Sequence, residues 1–186
     1  MVPFIKKFDI PKEISVDIQN NVAIFSNFDL KISVDIAKPF KASFFKKGVM
    51  IITCPINSLT CRKRDIRFLS PMFGSLKVKI NQAIFGILSG FSKEIALQGV
   101  GYKAELLDSN KLLLKLGYSH DILIDIPNDI KVLCPRETLL ILKSLSKESL
   151  GSFISLLKKS KTPDVYKNKG VLIKGETLIT KKFKKK

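Results

Sequence analysis

The sequence predicts an α+β fold made of two tandem, similar domains, each a small, mostly antiparallel sheet packed against one helix, followed by a basic C-terminal arm. Three observations predict it. Short stretches of apolar–polar alternation, the signature of half-buried strands, occur in two successive runs. Each run is followed by one segment whose apolar residues recur at helical spacing. The composition then changes: residues 158–186 carry 11 basic and 2 acidic side chains, whereas residues 92–157 carry 8 of each.

The first run begins with Ile14-Ser15-Val16-Asp17-Ile18, alternating apolar and polar. Asn20-Asn21 signals a turn, and Val22 to Phe25 is the return strand. Leu30, Ile32, Val34 and Ile36 repeat the alternation, and Pro39 ends it. Phe40 to Phe45 and Val49 to Thr53 flank Lys46-Lys47-Gly48 as two further strands. The period then changes. Leu76, Ile80, Ala83, Ile84, Ile87, Leu88 and Phe91 lie on one face of a helix that Gly90 is placed to terminate.

The second run repeats the plan. Ile95 to Leu107 is a long extended stretch containing Gly99 and Gly101, read as a bulge or a close backbone approach. Leu112 to Leu116, Asp121 to Ile126, Ile130 to Cys134 and Leu139 to Leu142 follow as strands. Ser146 caps a helix with Glu148 in its first turn and Leu150, Phe153, Ile154 and Leu157 as its buried face. Lys158, Lys159 and Lys161 sit where the helix dipole favours cations, and Pro163 stops the helix. The predicted division is a first domain over residues 1–90, a second over 91–162 and a basic arm over 163–186.

Charge points to the partner. The chain of 186 residues has 33 Lys plus Arg against 16 Asp plus Glu, a net of +17. Residues 1–91 hold 14 basic and 6 acidic groups, so a neutral segment lies between a basic first half and a very basic tail. Solubility does not require such segregation, whereas a polyanion such as nucleic acid does. No apolar run approaches the length of a membrane helix, so no membrane partner is expected. Cys54, Cys61 and Cys134 form no Cys-x-x-Cys pair, so neither a metal site nor a cofactor is expected.

Catalysis is not expected either. The only histidine is His120, in Gly117-Tyr118-Ser119-His120, and its neighbour Ser119 would face the opposite way on a strand. Gly99-Val100-Gly101-Tyr102 lacks the third glycine of a dinucleotide fingerprint. Tyr102 and Lys103 have two readings: RNA contacts, or a strand-face tyrosine beside a solvated lysine. The cluster Arg62-Lys63-Arg64-Asp65-Ile66-Arg67 likewise is either a phosphate contact or a solvated loop. The segment Thr162-Pro163-Asp164-Val165-Tyr166-Lys167-Asn168-Lys169-Gly170 is the sharpest candidate. It sets one ring among several cations and turn residues, a composition suited to phosphate and ribose.

Two stretches resemble the bacterial-type family of the sixth large-subunit ribosomal protein. One is Leu97-Gln98-Gly99-Val100-Gly101-Tyr102-Lys103-Ala104, followed by Leu114-Lys115-Leu116-Gly117-Tyr118-Ser119-His120 and Ile126-Pro127. The other is Pro163, Tyr166, Lys167, Lys169 and Gly170. Order and spacing agree over residues 91–180. The resemblance implies two similar domains, no catalysis and no small-molecule substrate. Its implied partners are large-subunit rRNA, near the stalk base and sarcin–ricin region, and neighbouring large-subunit ribosomal proteins. Charge, turn chemistry and the resemblance together give as expected rRNA-contacting residues Tyr166, Lys167, Asn168, Lys169, Gly170, Lys181, Lys182, Lys184, Lys158, Lys159, Gly101, Tyr102, Lys103, His120, Arg62 and Arg64. A free-standing RNA chaperone or regulator on the same fold is the alternative.

The sequence departs from the family in four places. Asn168 replaces a glycine, Val165 a proline, and Leu172-Ile173 stand where the family has Arg-Tyr, so a cation and a ring are expected to be missing from the local RNA contact. This drift, the lysine- and isoleucine-rich composition of an AT-rich genome, and an N-terminus without transit-peptide character point to the mitochondrial matrix. The cytoplasm of an AT-rich bacterium and a plastid are the alternatives.

Overall fold

The computed structural model describes residues 5–28, 30–45, 48–54, 63–108, 110–177 and 181, with backbone alone for Phe45, residues 63–66 and Asp108. The chain separates into two compact units, Met1–Ser89 and Gly90–Lys186.

In the first unit, β1 (Ile5–Asp9), β2 (Ser15–Gln19), β3 (Val22–Asn27), β4 (Leu30–Asp35), β5 (Lys41–Phe45) and β6 (Val49–Thr53) precede α1 (Lys63–Leu88). The strands form two antiparallel three-stranded sheets, in the orders β1-β6-β5 and β2-β3-β4. The hairpin between β2 and β3 turns through Asn20 and Asn21, both at positive φ (46° and 66°). Asparagine visits that region more easily than most residues, and this hairpin geometry requires it twice. Alternation places Ala23, Phe25, Met50 and Ile52 fully inside, and α1 covers them with Phe73, Leu76, Ile80, Ala83 and Ile87.

Two features differ from the sequence reading. Strand β1 was not anticipated, because Lys6 and Lys7 mask a strand whose only buried residue is Phe8. Helix α1 begins well before residue 76. Pro71 lies inside it and has no N–H to give to the preceding turn, which makes the segment read as non-helical. Yet Leu69, Met72 and Phe73 extend the apolar stripe back through the proline, and burial of that stripe outweighs the lost bond. The arginine cluster from residue 63 onward is therefore the start of a helix, not a loop. At the other end Gly90 sits at φ +69° and terminates α1 as expected.

The second unit contains β7 (Phe91–Gln98), β8 (Lys103–Asp108), β9 (Lys111–Lys115), β10 (Ile122–Asp125), β11 (Ile130–Arg136), β12 (Leu139–Ser144), α2 (Lys147–Ser160) and β13 (Gly170–Ile173). Its sheets run β10-β9-β8 and β11-β12-β7-β13, again antiparallel. The α+β architecture in two similar halves is thus as expected, but each half holds two sheets rather than one. Pro135 falls in the bulge where β11 loses register with β12, a place where a missing N–H is tolerated. The stretch 95–107 is not continuous: a turn at Gly99–Gly101 separates β7 from β8. Strand β13 lies inside the stretch expected to be arm. It pairs with β7, Leu172 opposite Ala96, because Val171 and Leu172 are apolar and are buried there.

Candidate nucleic-acid interface

Helix α2 is held at its start by Ser146, whose hydroxyl accepts from the Ser149 N–H at 3.3 Å. Leu150, Phe153, Ile154 and Leu157 anchor it to the core. It ends at Ser160, and Lys161 leaves in an extended conformation. From there the chain makes a loop and returns as β13. The return is pinned where the Val171 N–H donates to the Lys161 carbonyl at 3.1 Å.

The loop is closed from within. Asp164 N–H donates to the Lys169 carbonyl at 2.9 Å, and Asn168 N–H to the Asp164 carbonyl at 3.0 Å. The Asp164 carboxylate Oδ1 accepts from Tyr166 N–H at 2.9 Å, an Asx turn. Asn168 takes φ +52°, the left-handed position that a glycine or asparagine accepts. At the base, Gly170 is at φ +152° and lies so close to Pro163 that a Cβ would stand 2.5 Å from the Pro163 Cα. The effect is a short projection with a tight neck. Lys167, Asn168 and Lys169 are exposed at its tip, and Tyr166 is half exposed. Lys181 is brought to the same loop, its N–H donating to the Val165 carbonyl at 3.2 Å.

Other expected contact residues are placed differently. Lys158 is engaged: its ammonium bonds both Glu176 oxygens, at 2.7 and 2.9 Å. That bond holds the Glu176 carboxyl below its ordinary range. Lys174 pairs with Glu94 at 2.6 Å, so the chain just after β13 is tied to the unit. Lys159, in the last turn of α2, is exposed. Lys103 is exposed but bridges Glu137 at 2.9 Å, and this bond raises its pKa. Tyr102 is not a surface ring. It is 7% exposed, and Gly99 and Gly117 both lie against it. A Cβ at Gly99 would meet the ring at 2.8 Å, and one at Gly117 would meet it at 3.2 Å. The glycines are there to admit the ring, and Tyr102 supports the loop that carries His120. Gly101 itself is exposed at φ +76°.

His120 is exposed in the loop after β9. That loop reaches the end of α2 through Tyr118, whose hydroxyl donates to the Ser160 carbonyl at 3.1 Å. Tyr118 and Lys161 were missed as site residues. Only the folded chain brings position 118 to 160–161, and no sequence pattern signals that meeting. Arg62, Lys182 and Lys184 lie outside the described residues, and Arg64 is described only as backbone in the first turn of α1. Among the described residues no group of three His, Cys, Asp or Glu is arranged to hold a metal. Cys54 is buried, and partial burial pushes the Cys134 thiol pKa up, away from the reactive thiolate.

The segment from the Gly99 turn to β13 is also the part of the chain that a known family model matches. The family model for Ribosomal protein L6 matches residues 98–173. The large ribosomal subunit protein uL6m of Reclinomonas americana is 33% identical over 183 residues, covering 97% of each chain. The chain belongs to the L6 family of ribosomal proteins. The large ribosomal subunit protein uL6 of Malacoplasma penetrans is 31% identical over 175 residues, 92% of this chain and 89% of that one. That of Limosilactobacillus reuteri is 29% identical over 179 residues, 96% and 95%. The L6 family is one of structural ribosomal proteins, not of enzymes. Within this L6 chain, Leu172 is buried and Ile173 half-buried on β13, so these two positions serve as core wall. The surface cations and ring come from the loop before them.

Proposed function

We propose that this chain is a structural subunit of the large ribosomal subunit that binds large-subunit rRNA, near the stalk base and the sarcin–ricin region, through the projection Tyr166–Gly170. The observation that carries the reading is the closed loop itself. Asp164, Asn168 and Gly170 hold two exposed lysines and a half-exposed tyrosine on a tight neck, so little ordering entropy is lost when phosphates arrive. Lys159 and Lys181 extend the positive surface, and Lys182 and Lys184 follow in sequence.

In this reading residues 1–90 are one scaffold domain, 91–162 a second, and 163–186 the RNA-contacting segment whose middle is stitched into the second domain by β13. Neighbouring ribosomal proteins are the further partners, and no cofactor or small-molecule substrate is involved. A mitochondrial ribosome is the setting favoured by the 33% identity to uL6m.

The test is cosedimentation with large subunits through a high-salt wash, followed by binding of the Lys167→Ala/Lys169→Ala variant to rRNA. Losing two phosphate contacts should lower affinity and reduce the slope of log K against log salt by roughly 1.5. Unchanged affinity with an unchanged slope would remove the loop from the interface. Recovery of the wild-type chain mainly outside ribosomes would favour a free-standing RNA chaperone or regulator.

A further inference from the structure

At the end of α2 is a second group of side chains that lies outside the hydrophobic core. Tyr118 and His120 are exposed, and neither belongs to the hydrophobic core of the second unit. Their rings are stacked, with planes 22° apart and centroids 6.0 Å apart. The Lys161 ammonium stands 4.0 Å from the centre of the Tyr118 ring. The Tyr118 hydroxyl is tied to the Ser160 carbonyl, so the rings cannot drift from the end of α2. Beneath them, Gly117 at φ +71° rests on the buried Tyr102 ring, which fixes the height of the loop.

The Lys161 ammonium lies over the Tyr118 ring, so the exposed His120 ring stacked on Tyr118 offers the surface for one planar, apolar-faced group attached to an anion. A nucleobase with its own phosphate has that form. A base paired within a helix has its faces covered by neighbouring pairs, so only an unpaired or extruded base can use the surface. We propose that Tyr118, His120 and Lys161 form a stacking site for a single unpaired nucleotide of the bound RNA. The base lies on the His120 ring, backed by Tyr118, and Lys161 meets the adjoining phosphate. This deepens the rRNA-binding reading and rests on it. The division of labour is distinct: the Lys167–Lys169 loop contacts backbone of either form of RNA, whereas the ring pair selects an unstacked base.

The test uses the full chain with two probes, an oligouridine of about ten nucleotides and a blunt RNA duplex of the same length, read by fluorescence anisotropy. Loss of one stacked base should weaken single-strand binding about fivefold or more. His120→Ala is therefore expected to lose at least that on oligouridine and to stay within about twofold on duplex. His120→Phe, which keeps a ring, should retain oligouridine binding. Both side chains at position 120 project from an exposed loop, and circular dichroism checks that the variants are folded. The chain has no tryptophan, so its tyrosines report directly. Oligouridine should quench emission in the wild type and quench it less in Tyr118→Phe/His120→Ala. Equal effects of His120→Ala on both probes, or none on either, would overturn the stacking site. A wild-type chain that cosediments with large subunits yet shows no such single-strand effect overturns this inference alone. One that binds neither RNA nor subunits overturns the rRNA reading with it.

Discussion

Gly170→Ala isolates the contact that makes the neck of the projection. Gly170 stands at φ +152°, where a side chain costs about 1–3 kcal/mol in backbone strain. The added Cβ would lie 2.5 Å from Pro163 Cα, 2.9 Å from Pro163 N and 3.1 Å from the Thr162 carbonyl oxygen. All three are backbone atoms, so no flexible side chain can swing away. Making room means moving the neck by about 1 Å, comparable to overpacking a core at about 1–3 kcal/mol. The Val171–Lys161 bond and the pairing of β13 with β7 would be strained by the same movement. The sum is about 2–6 kcal/mol, a large fraction of the stability of a small unit.

The assay is urea unfolding followed by tyrosine emission. Tyr102, Tyr118 and Tyr166 are the only tyrosines, all in the second unit, and no tryptophan obscures them. The signal therefore follows Gly90–Lys186 alone, while far-ultraviolet circular dichroism follows both units. The expected result is an early tyrosine transition, its urea midpoint lower by about 1 M or more, and the part of the dichroism transition that belongs to the first unit unmoved. A loss below about 1 kcal/mol would refute the reasoning, because the backbone would then have absorbed a 2.5 Å contact without cost.

Two further outcomes follow from the same unit. Ser146→Ala removes the cap on α2 and should cost about 1 kcal/mol, read by the same tyrosine transition. Glu176→Gln tests the bridge to Lys158. The folded carboxyl titrates below its ordinary range, so its contribution is present above the unfolded value and is lost as pH falls through the folded one. The side chains are 28% and 35% exposed, and solvent screening holds the effect near ~0.5 kcal/mol. The variant should therefore be slightly less stable at neutral pH and become indistinguishable from wild type once the pH has fallen below the lowered folded titration of Glu176. A stability gap that persists at low pH would mean that the bridge is not its source.

The sequence was legible wherever structure depends on neighbours along the chain. Alternation at 14–18, 22–25 and 30–36 marked strands because one face of each is buried and the period of a strand is two. The helical spacing from Leu76 onward, the cap at Ser146 and the stop at Gly90 are also local chemistry. The loop Tyr166–Gly170 was legible from its lysines and turn residues, and the L6 resemblance rested on motifs that the family comparison matches. What failed was local too: Pro71 hid more than three turns of helix, and two lysines hid β1.

Tertiary structure decided the rest, because those facts depend on residues far apart in sequence meeting in space. Val171 and Leu172 are a strand only because β7 offers a free edge some 75 residues earlier. Tyr102 looks like a surface tyrosine until Gly99 and Gly117 close over it. Lys158 and Lys103 count equally with Lys167 in a charge sum, but Glu176 and Glu137 engage them while the tip of the loop stays exposed. The sequence alone determined which partner the chemistry suits, a polyanion, because net charge and its segregation survive any fold. Which cations and rings stay exposed was set by burial and pairing, which only the folded chain assigns.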